Sequence, residues 1–506
     1  MSIKRVVLAL LTILAIAQIG FSLKDSFDQP QIQSRLELYQ TNLVLHVAEL
    51  RANPQDKFAF NSAVGSLVGE DPYGAASNKY RQVRQESITS RDNFKSQLQQ
   101  LENRAEANVA LKKRLKQQIA ELEKFIDELD LKQGILTAVQ GKSAEAISIW
   151  DREITRINNP QNSYVQTATL LKQLWQEKSQ PEFSRDLLDN LDSWFKYKTL
   201  AKYSQVNNLR DNLALLQEQE FQVATNSVLK LAVISGIPVF GGIAGVILLG
   251  FLIIQRLVNR QKAIIATNSN QTWSTPWNWE ITWQVLIVGF FFISQFVLPL
   301  LLGIFNINPA NASLRIKALY VLGTYILMAL GGISVLYFSI KSFFPLPPDW
   351  FKFKFFSNWF IWGFGGYLVA IPLVLLVSLI NQQIWQGQGG SNPLLLLALQ
   401  AQDKLALTIF FTTASIAAPV FEEIMFRGFL LPSLTRYTSV TGAIIISGLI
   451  FAIAHLSLSE VLPLATLGIV LGFVYTRSRN LLAPMLLHCL WNSGTLISLF
   501  VLGSNT

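Results

Sequence analysis

Apolar and polar positions divide the chain into membrane segments and one long polar segment. Eighteen mostly apolar residues, 6–23, follow Lys4 and Arg5, and residues 24–225 then contain no apolar run long enough to cross a bilayer. A transmembrane helix needs about 20 such residues, and long apolar runs recur from residue 228 onwards. The pattern predicts an all-α polytopic membrane protein with an N-terminal anchor, about eight C-terminal spans and a polar helical domain between them.

The apolar runs also predict where the domains begin and end. The sequence Ala15-Ile16-Ala17 fits a signal-peptidase site, but the apolar run continues to Leu23, which favours a retained signal anchor. The C-terminal runs lie at 228–254, 283–305, 318–337, 359–380, 405–421, 441–456, 461–475 and 481–502. We therefore expect an anchor, a soluble helical domain, a group of leading membrane helices and a final membrane domain, at 1–23, 24–225, 226–355 and 356–506 respectively.

Two patterns characterise the polar domain. Apolar residues recur at steps of four and three, which predicts a coiled-coil or helical-hairpin seam; they are Leu115, Ile119, Leu122, Ile126 and Leu129. Gly134, Ala146 and Trp150 in GILTAVQGKSAEAISIW have spacings that resemble one tetratricopeptide repeat. Because stacked repeats normally need three or more copies, an ordinary helical bundle is the preferred interpretation.

Composition and charge exclude several classes of function. Half of the 506 residues are apolar and 15% are charged, with a net charge of +9. No dense basic patch interleaves with aromatic residues, so a nucleic-acid partner is not expected. The single cysteine, Cys489, excludes an intrachain disulfide and a multi-cysteine zinc site.

The basic residues predict how the protein is oriented. Most fall on one side if every apolar run crosses the membrane; they are Lys4, Arg5, Arg256, Arg260, Lys262, Lys341, Lys352, Lys354, Arg427, Arg436, Arg477 and Arg479. The positive-inside rule then places the N-terminus in the cytoplasm and residues 24–225 in the periplasm or lumen.

An acidic pair interrupts the apolar run that begins near Leu405. Glu422 and Glu423 are followed by Arg427 and then by further apolar residues. Each charge inside a membrane costs at least about 2.5–3.5 kcal/mol, so such residues indicate function. Glu423 and Arg427 are four residues apart and can pair on one helix face. Glu422 lies about 100° round the helix and finds no partner in this segment.

Two histidines of the membrane part could meet Glu422. His455 follows Phe451 by four residues, and His488 precedes Asn492 by four, so each pair shares a helix face. A buried carboxylate near an imidazole is a good general base for water. Two imidazoles and a carboxylate are also a common catalytic zinc ligand set. The residue types alone leave open peptide hydrolysis, proton relay in a transporter, and interhelical hydrogen bonding.

Three motifs taken together resemble a known protease family. EE-x3-R at 422–427, F-x3-H at 451–455 and H-x3-N at 488–492 occur in the order that is typical of the CPBP (ABI) family of intramembrane proteases, which are related to type II CAAX proteases. The flanking text, APVFEEIMFRGFLLPSL and NLLAPMLLHCLWNS, is also similar, and the resemblance covers roughly 360–502.

The resemblance implies a role for each motif residue. Glu422 and His455 would activate the attacking water, and His488 with Asn492 would form the oxyanion site. Glu423, Arg427 and Phe451 would support them. Family members are usually described as metalloproteases, which implies zinc or another divalent metal on Glu422, His455 and His488, but a metal-independent mechanism has also been argued for relatives.

The expected function is therefore intramembrane endopeptidase activity. Its substrates would be membrane-associated proteins or peptides in the lipid bilayer, and the resemblance implies prenylated CAAX substrates for the eukaryotic branch. The large segment 24–225 departs from compact family members and suggests a module that recruits a substrate or protein partner. The alternative is a non-enzymatic membrane scaffold that binds a partner through these soluble helices.

Overall fold

The computed structural model is helical, as the sequence predicts. It describes the whole chain except residues 1, 28, 30, 52–64, 66–67, 104–108, 178–184, 306, 308, 310–311, 393–394, 396, 398–402 and 504–506. The chain divides into two compact units. The membrane unit comprises Met1–Phe27 and Ser235–Ser504, and the polar unit comprises Asp28–Ile234 and Asn505–Thr506. Each unit is described by itself below.

Fifteen longer helices are assigned within the described residues. In chain order they are α1 Ile3–Phe27, α2 Ile32–Arg51, α3 Pro72–Glu102, α4 Val109–Val139, α5 Ser143–Ile157, α6 Ser163–Trp175, α7 Ser193–Val206, α8 Arg210–Asn259, α9 Trp279–Ile304, α10 Leu314–Ile340, α11 Trp359–Trp385, α12 Lys404–Leu434, α13 Val440–Ile453, α14 Val461–Ser478 and α15 Leu482–Gly503. The boundary between the two units falls inside α8.

The polar unit is built around the antiparallel pair α3 and α4. The five seam residues at 115–129 are all buried, and Phe94 of α3 packs against the first three of them. Gly134 of α4 lies under the indole of Trp150 in α5, so closely that a Cβ there would be 2.2 Å from the ring nitrogen. The seam is therefore part of a hydrophobic core, and Gly134 permits the close approach of the next helix.

A buried polar network also contributes to this core. His46 of α2 contacts Glu220 of α8 through Nδ1 at 2.6 Å and Ser193 of α7 through Nε2 at 2.6 Å. His46 and Glu220 are both buried. Both ring nitrogens thus have a partner, as a buried imidazole requires. The network ties three helices together.

The membrane unit contains the apolar helices. Within the described residues, eight helices are long and apolar enough to cross a bilayer; they include α1, and the ninth apolar helix, α13, has only 14 residues. At 1.5 Å per residue α13 is about 21 Å long, shorter than the bilayer core of about 30 Å. Helix α13 is therefore too short to cross the bilayer core by itself.

Glycine allows two of these helices to approach closely. The spacing Gly241-xxx-Gly245 in α8 is typical of close helix packing. A Cβ on Gly245 would lie 2.0 Å from the carbonyl oxygen of Leu368 in α11. This face of α8 therefore packs directly on the α11 backbone.

Hydrogen bonds join the loops at each end of the membrane unit. At one end, which we term the basic end, Arg5 pairs with Glu280 at 3.0 Å, Arg436 donates to the carbonyl of Thr275 at 3.2 Å, and Arg477 donates to that of Ile265 at 2.7 Å. At the opposite end the amide of Leu458 donates to Ser26 Oγ at 3.1 Å, and the hydroxyl of Ser26 donates to the carbonyl of Gly389. These contacts fit a chain in which successive helices alternate in direction.

The N-terminal helix α1 is an integral part of this unit. Leu8 and Ala15 lie in its hydrophobic core, and Trp283 of α9 donates a hydrogen bond to Thr12 at 2.9 Å. Arg5 and Ser26 belong to opposite ends of the same helix. Helix α1 therefore contacts both ends of the membrane unit.

Three stretches of α9 and α12 have widened, π-helical turns. They are Val285–Val297, Thr413–Ala417 and Ile424–Leu430, and each ends two residues before a proline, namely Pro299, Pro419 or Pro432. Proline has no N–H for the carbonyl four residues earlier, and its ring pushes that carbonyl away. The prolines therefore account for the last widened turn before each of them, but Pro299 does not explain why the stretch in α9 begins as early as Val285.

Candidate active site

The acidic pair lies on a six-residue α-helical segment between two of these widened turns. This segment, Ala418–Glu423, is surrounded by α10, α13, α14 and α15. The two neighbouring carboxylates have different surroundings. The side chain of Glu423 is fully buried, whereas that of Glu422 retains 14% of its exposure. One carboxylate is therefore enclosed by protein, and the other remains accessible.

Glu423 forms the ion pair that the four-residue spacing predicts. Arg427 Nη1 lies 2.8 Å from Glu423 Oε1, and both side chains are fully buried. Arg427 Nη2 also donates to the carbonyl oxygen of Gly468 in α14 at 3.0 Å. The Arg427 guanidinium is enclosed in the membrane unit, and its predicted pairing with Glu423 is present.

His488 connects the two carboxylates. Its Nδ1 lies 2.9 Å from Glu423 Oε1, and its Nε2 lies 3.9 Å from Glu422 Oε2. The first contact is a hydrogen bond, and the second is too long for one. A water oxygen about 2.8 Å from each atom could bridge the longer gap. The separation of 3.9 Å is therefore one that a single bridging water would span.

Tyr325 of α10 is the other neighbour of Glu422. Its hydroxyl donates to Glu422 Oε1 at 3.3 Å and to the carbonyl of Ala418 at 3.4 Å. The sequence analysis missed this residue, because a tyrosine in an apolar run carries no signal of its own. The only available indication was that Glu422 needs a partner from outside its helix.

His455 lies in the turn beyond α13, which ends at Ile453. Its Nδ1 bonds the carbonyl of Phe451 at 2.9 Å. No hydrogen bond or ion pair joins His455 to Glu422 in the described part of the chain, whereas His488 lies within 3.9 Å of Glu422. The role of His455 in activating water stays a prediction.

Phe451 packs among the charged and polar groups of the site. Its buried ring lies 4.9 Å from the ring of His455 and 5.6 Å from that of His488, measured between centroids. The guanidinium carbon of Arg427 lies 4.5 Å from the Phe451 centroid. Such a contact adds a cation–π attraction to the ion pair. Phe451 thus fixes the positions of Arg427 and both imidazoles.

Asn492 anchors α15 to the widened turn of α12. Its Nδ2 donates to the carbonyl oxygen of Ala414 at 2.7 Å. The widened turn at 413–417 frees backbone carbonyls for partners outside the helix. Asn492 lies one turn after His488 on α15, so this bond also helps to hold His488 in place.

A divalent metal on Glu422, His455 and His488 stays a prediction. In the residues that the structure describes, no group of three or more His, Cys, Asp or Glu side chains could hold a metal ion. His488 Nδ1 is bonded to Glu423 and His455 Nδ1 to a backbone carbonyl. These contacts leave Nε2 of each ring as its possible ligand atom.

Comparison with known proteins identifies the C-terminal region. Residues 404–494 match the family model "Type II CAAX prenyl endopeptidase Rce1-like". The chain is 25% identical over 138 residues to "Putative membrane peptidase YdiL" of Bacillus subtilis (strain 168), covering 27% of this chain and 55% of that protein. It is 28% identical over 142 residues to "Membrane-embedded CAAX protease MroQ" of Staphylococcus aureus (strain USA300), covering 27% and 56%. No solved structure matches the chain.

The matches cover only part of each protein. The chain spans a little over half of the length of these two relatives. The matched family domain contains the acidic pair and all the other predicted site residues. Together with the eight apolar helices, the matches show an integral membrane protein with an Rce1-like domain at its C-terminus.

Proposed function

We propose that the Rce1-like domain is an intramembrane endopeptidase in which Glu422 activates water for peptide-bond hydrolysis. The main support is the unequal environment of the acidic pair: Glu423 is enclosed with Arg427, whereas Glu422 is accessible and faces His488 across 3.9 Å. The family match and the two peptidase relatives point to the same chemistry. The substrate would be a peptide segment in or beside the membrane.

In this mechanism Glu422 acts as a general base and then as a general acid. Its carboxylate takes a proton from water while the water oxygen bonds to the scissile carbonyl carbon. The same proton then passes to the departing amine as the C–N bond breaks. Tyr325, which donates to Glu422 Oε1, would orient the carboxylate throughout. Every step uses groups of the protein, and none is assigned to a metal.

His488 and Asn492 would stabilise the oxyanion. The carboxylate of Glu423 accepts the hydrogen bond from His488 Nδ1, so Nε2 can donate as well only when both ring nitrogens carry a proton. A protonated imidazole donates from both nitrogens, so Nδ1 would donate to Glu423 and Nε2 to the developing oxyanion. Asn492 has one amide hydrogen on Ala414 and a second one to offer. His455, across the ring of Phe451, would contribute less to the chemical step.

Comparative analysis of membrane-protein termini tests the proposal. Cells lacking the native protein would be complemented with wild type, Glu422→Gln or the control Glu218→Gln, which removes an exposed carboxylate of α8. New termini should appear with wild type and the control, and disappear with Glu422→Gln at equal expression and insertion. Unchanged termini with Glu422→Gln would refute the assignment. His488→Ala should lower cleavage more than His455→Ala; the reverse order would contradict the assigned roles.

We also propose that the basic end faces the cytoplasm and that α1 is a retained span. The collection of arginines and lysines at that end supports the orientation through the positive-inside rule. The burial of Ala15 and the bonds of Ser26 support retention. Residues 24–225 would then be extracytoplasmic. Thiol labelling of a cysteine placed at Thr89→Cys or Arg260→Cys, both exposed positions, in a Cys489→Ser background, tests the orientation, since only one should label from outside intact cells. N-terminal peptide mass spectrometry tests retention.

A further inference from the structure

A cleft in the polar unit has the composition of a binding site. It lies between α3, α4 and α5 and has a volume of about 560 Å³. This volume is within the range of about 300–1,000 Å³ that is typical of ligand sites. Four arginines line the cleft, namely Arg81, Arg84, Arg152 and Arg156, and Ile149 is the one apolar residue among its lining. A small apolar ligand would find few contacts here, because sites for such ligands are lined mainly by apolar side chains.

Two of the four arginines form ion pairs with acidic residues of the unit, and the other two do not. Arg84 is paired with Asp130, and Arg156 is paired with Asp127 and Glu153. Arg81 and Arg152 make no ion pair or hydrogen bond with any residue that the structure describes, and both are exposed at the mouth of the cleft. Two guanidinium groups are therefore free to bind an anionic partner. Carboxylates and phosphates are the groups that a guanidinium binds best.

Two buried acceptors lie deeper in the same cleft. Gln133 is 6% exposed and donates through Nε2 to Ser77 Oγ at 2.7 Å, which leaves its Oε1 without a partner. Glu153 is 2% exposed and accepts from Arg156 with Oε2, which leaves Oε1 without a partner. A buried oxygen without a hydrogen bond is costly. Both oxygens line the cleft and can accept an N–H from a ligand.

We propose that this cleft binds an acidic peptide segment of another protein. Its carboxylates would pair with Arg81 and Arg152, and its backbone N–H groups would donate to Gln133 and Glu153. A peptide supplies both carboxylates and N–H donors, whereas inorganic phosphate supplies no N–H. No aromatic side chain lines the cleft, so the stacking platform that single-stranded nucleic acids use is missing from it. The proposal does not depend on the proteolytic activity.

Fluorescence anisotropy on the full-length protein in nanodiscs tests the proposal. The probe is a fluorescein-labelled peptide of four Gly-Glu repeats, and a Gly-Gln peptide of the same length controls for charge. The cleft variant is Arg81→Gln with Arg152→Gln. The matched control is Lys113→Gln with Lys196→Gln, which removes two exposed charges of the same unit away from the cleft. Because neither arginine has an ion pair or hydrogen bond among the described residues, the cleft variant should melt like wild type.

The expected results separate the cleft from general electrostatic attraction. Wild type and the lysine variant should bind the Gly-Glu peptide alike and the Gly-Gln peptide poorly. The cleft variant should bind the Gly-Glu peptide about tenfold more weakly or worse, since two charge-assisted contacts are lost. Equal losses in both variants, or equal binding of both peptides to wild type, would overturn the proposal. Equally tight, arginine-dependent binding of an oligouridylate would also overturn it and indicate a general polyanion site.

Discussion

The buried ion pair between Glu423 and Arg427 provides the most specific stability prediction. Arg427→Met keeps the approximate length of the side chain and removes its charge. The change leaves Glu423 without its cation and the carbonyl of Gly468 without its donor. It also removes the cation–π contact with Phe451. Each of these groups is buried, so water cannot replace the lost partner.

The expected loss of stability follows from this burial. Breaking a buried ion pair by removing one partner typically costs about 3–5 kcal/mol. His488, whose Nδ1 lies 2.9 Å from Glu423, remains as a hydrogen-bond donor to the carboxylate, which keeps the cost at the lower end of this range. We therefore expect a decrease of about 3 kcal/mol in the free energy of unfolding. Because His488 is then drawn towards Glu423, peptide cleavage should fall even though Glu422 is unchanged.

The chain carries a suitable reporter for this measurement. Cys489 is the one cysteine in the sequence and is half-buried in α15, so its reaction with a thiol-reactive dye follows unfolding. Unfolding would be titrated with SDS in mixed micelles for wild type, Arg427→Met and the control Arg256→Met, whose arginine makes no hydrogen bond or ion pair with the described residues. The control should stay within about 0.5 kcal/mol of wild type.

A double variant separates the lost pair from a loss of volume. Glu423→Gln combined with Arg427→Met removes both charges. The loss of unfolding free energy in this double variant should therefore be smaller than the summed losses of the two single variants. The reasoning is refuted if Arg427→Met unfolds like wild type. Strict additivity of the two single changes would also refute it, because the two side chains would then not be coupled.

Three further predictions concern single side chains. Tyr325→Phe should slow peptide cleavage about tenfold and cost about 1 kcal/mol in the SDS titration, because it removes one long hydrogen bond to a carboxylate; an unchanged rate would contradict this role. Gly468→Val should cost about 1–3 kcal/mol in the SDS titration, since its Cβ would lie 2.9 Å from the Cα of Gly448, whereas Gly303→Val, with open space around it, should cost less. Burial raises the pKa of Glu153 to about 8, so the polar unit should lose stability as the pH rises towards and through 8; Glu153→Gln should flatten the pH dependence of its melting, followed by circular dichroism between pH 5 and 8, and an unchanged slope would refute it.

Patterns in the sequence predicted the helical fold and one contact of the acidic pair, that of Glu423 with Arg427. The lengths of the apolar runs predicted the membrane helices, including the short one at α13, because hydropathy and length are properties of the sequence alone. The four-residue spacing predicted the contact of Glu423 with Arg427, since both residues lie on one helix. It could not predict that His488 also contacts Glu423, which depends on how α12 and α15 pack.

The features that the sequence did not indicate depend on tertiary structure. Helix α13 ends at Ile453 and the His455 imidazole bonds its own backbone, which the four-residue spacing from Phe451 does not reveal. Tyr325 was missed because a partner on another helix leaves no trace in the sequence around Glu422. The second contact of Arg427, with the carbonyl of Gly468, depends on how α12 and α14 pack.

The two widened turns of α12 set the angular position of Glu422. Each such turn inserts extra backbone into the helix, so side chains after it are rotated relative to those before it. A single helical wheel drawn from Leu405 to Leu434 would therefore assign the wrong faces beyond Thr413. Replacing Pro419 or Pro432 by alanine would let the helix rewind to a regular pitch. The Glu422 carboxylate would then point away from Tyr325 and His488, although neither of these residues is changed. A change in the rotation of one helix about its axis can therefore abolish activity.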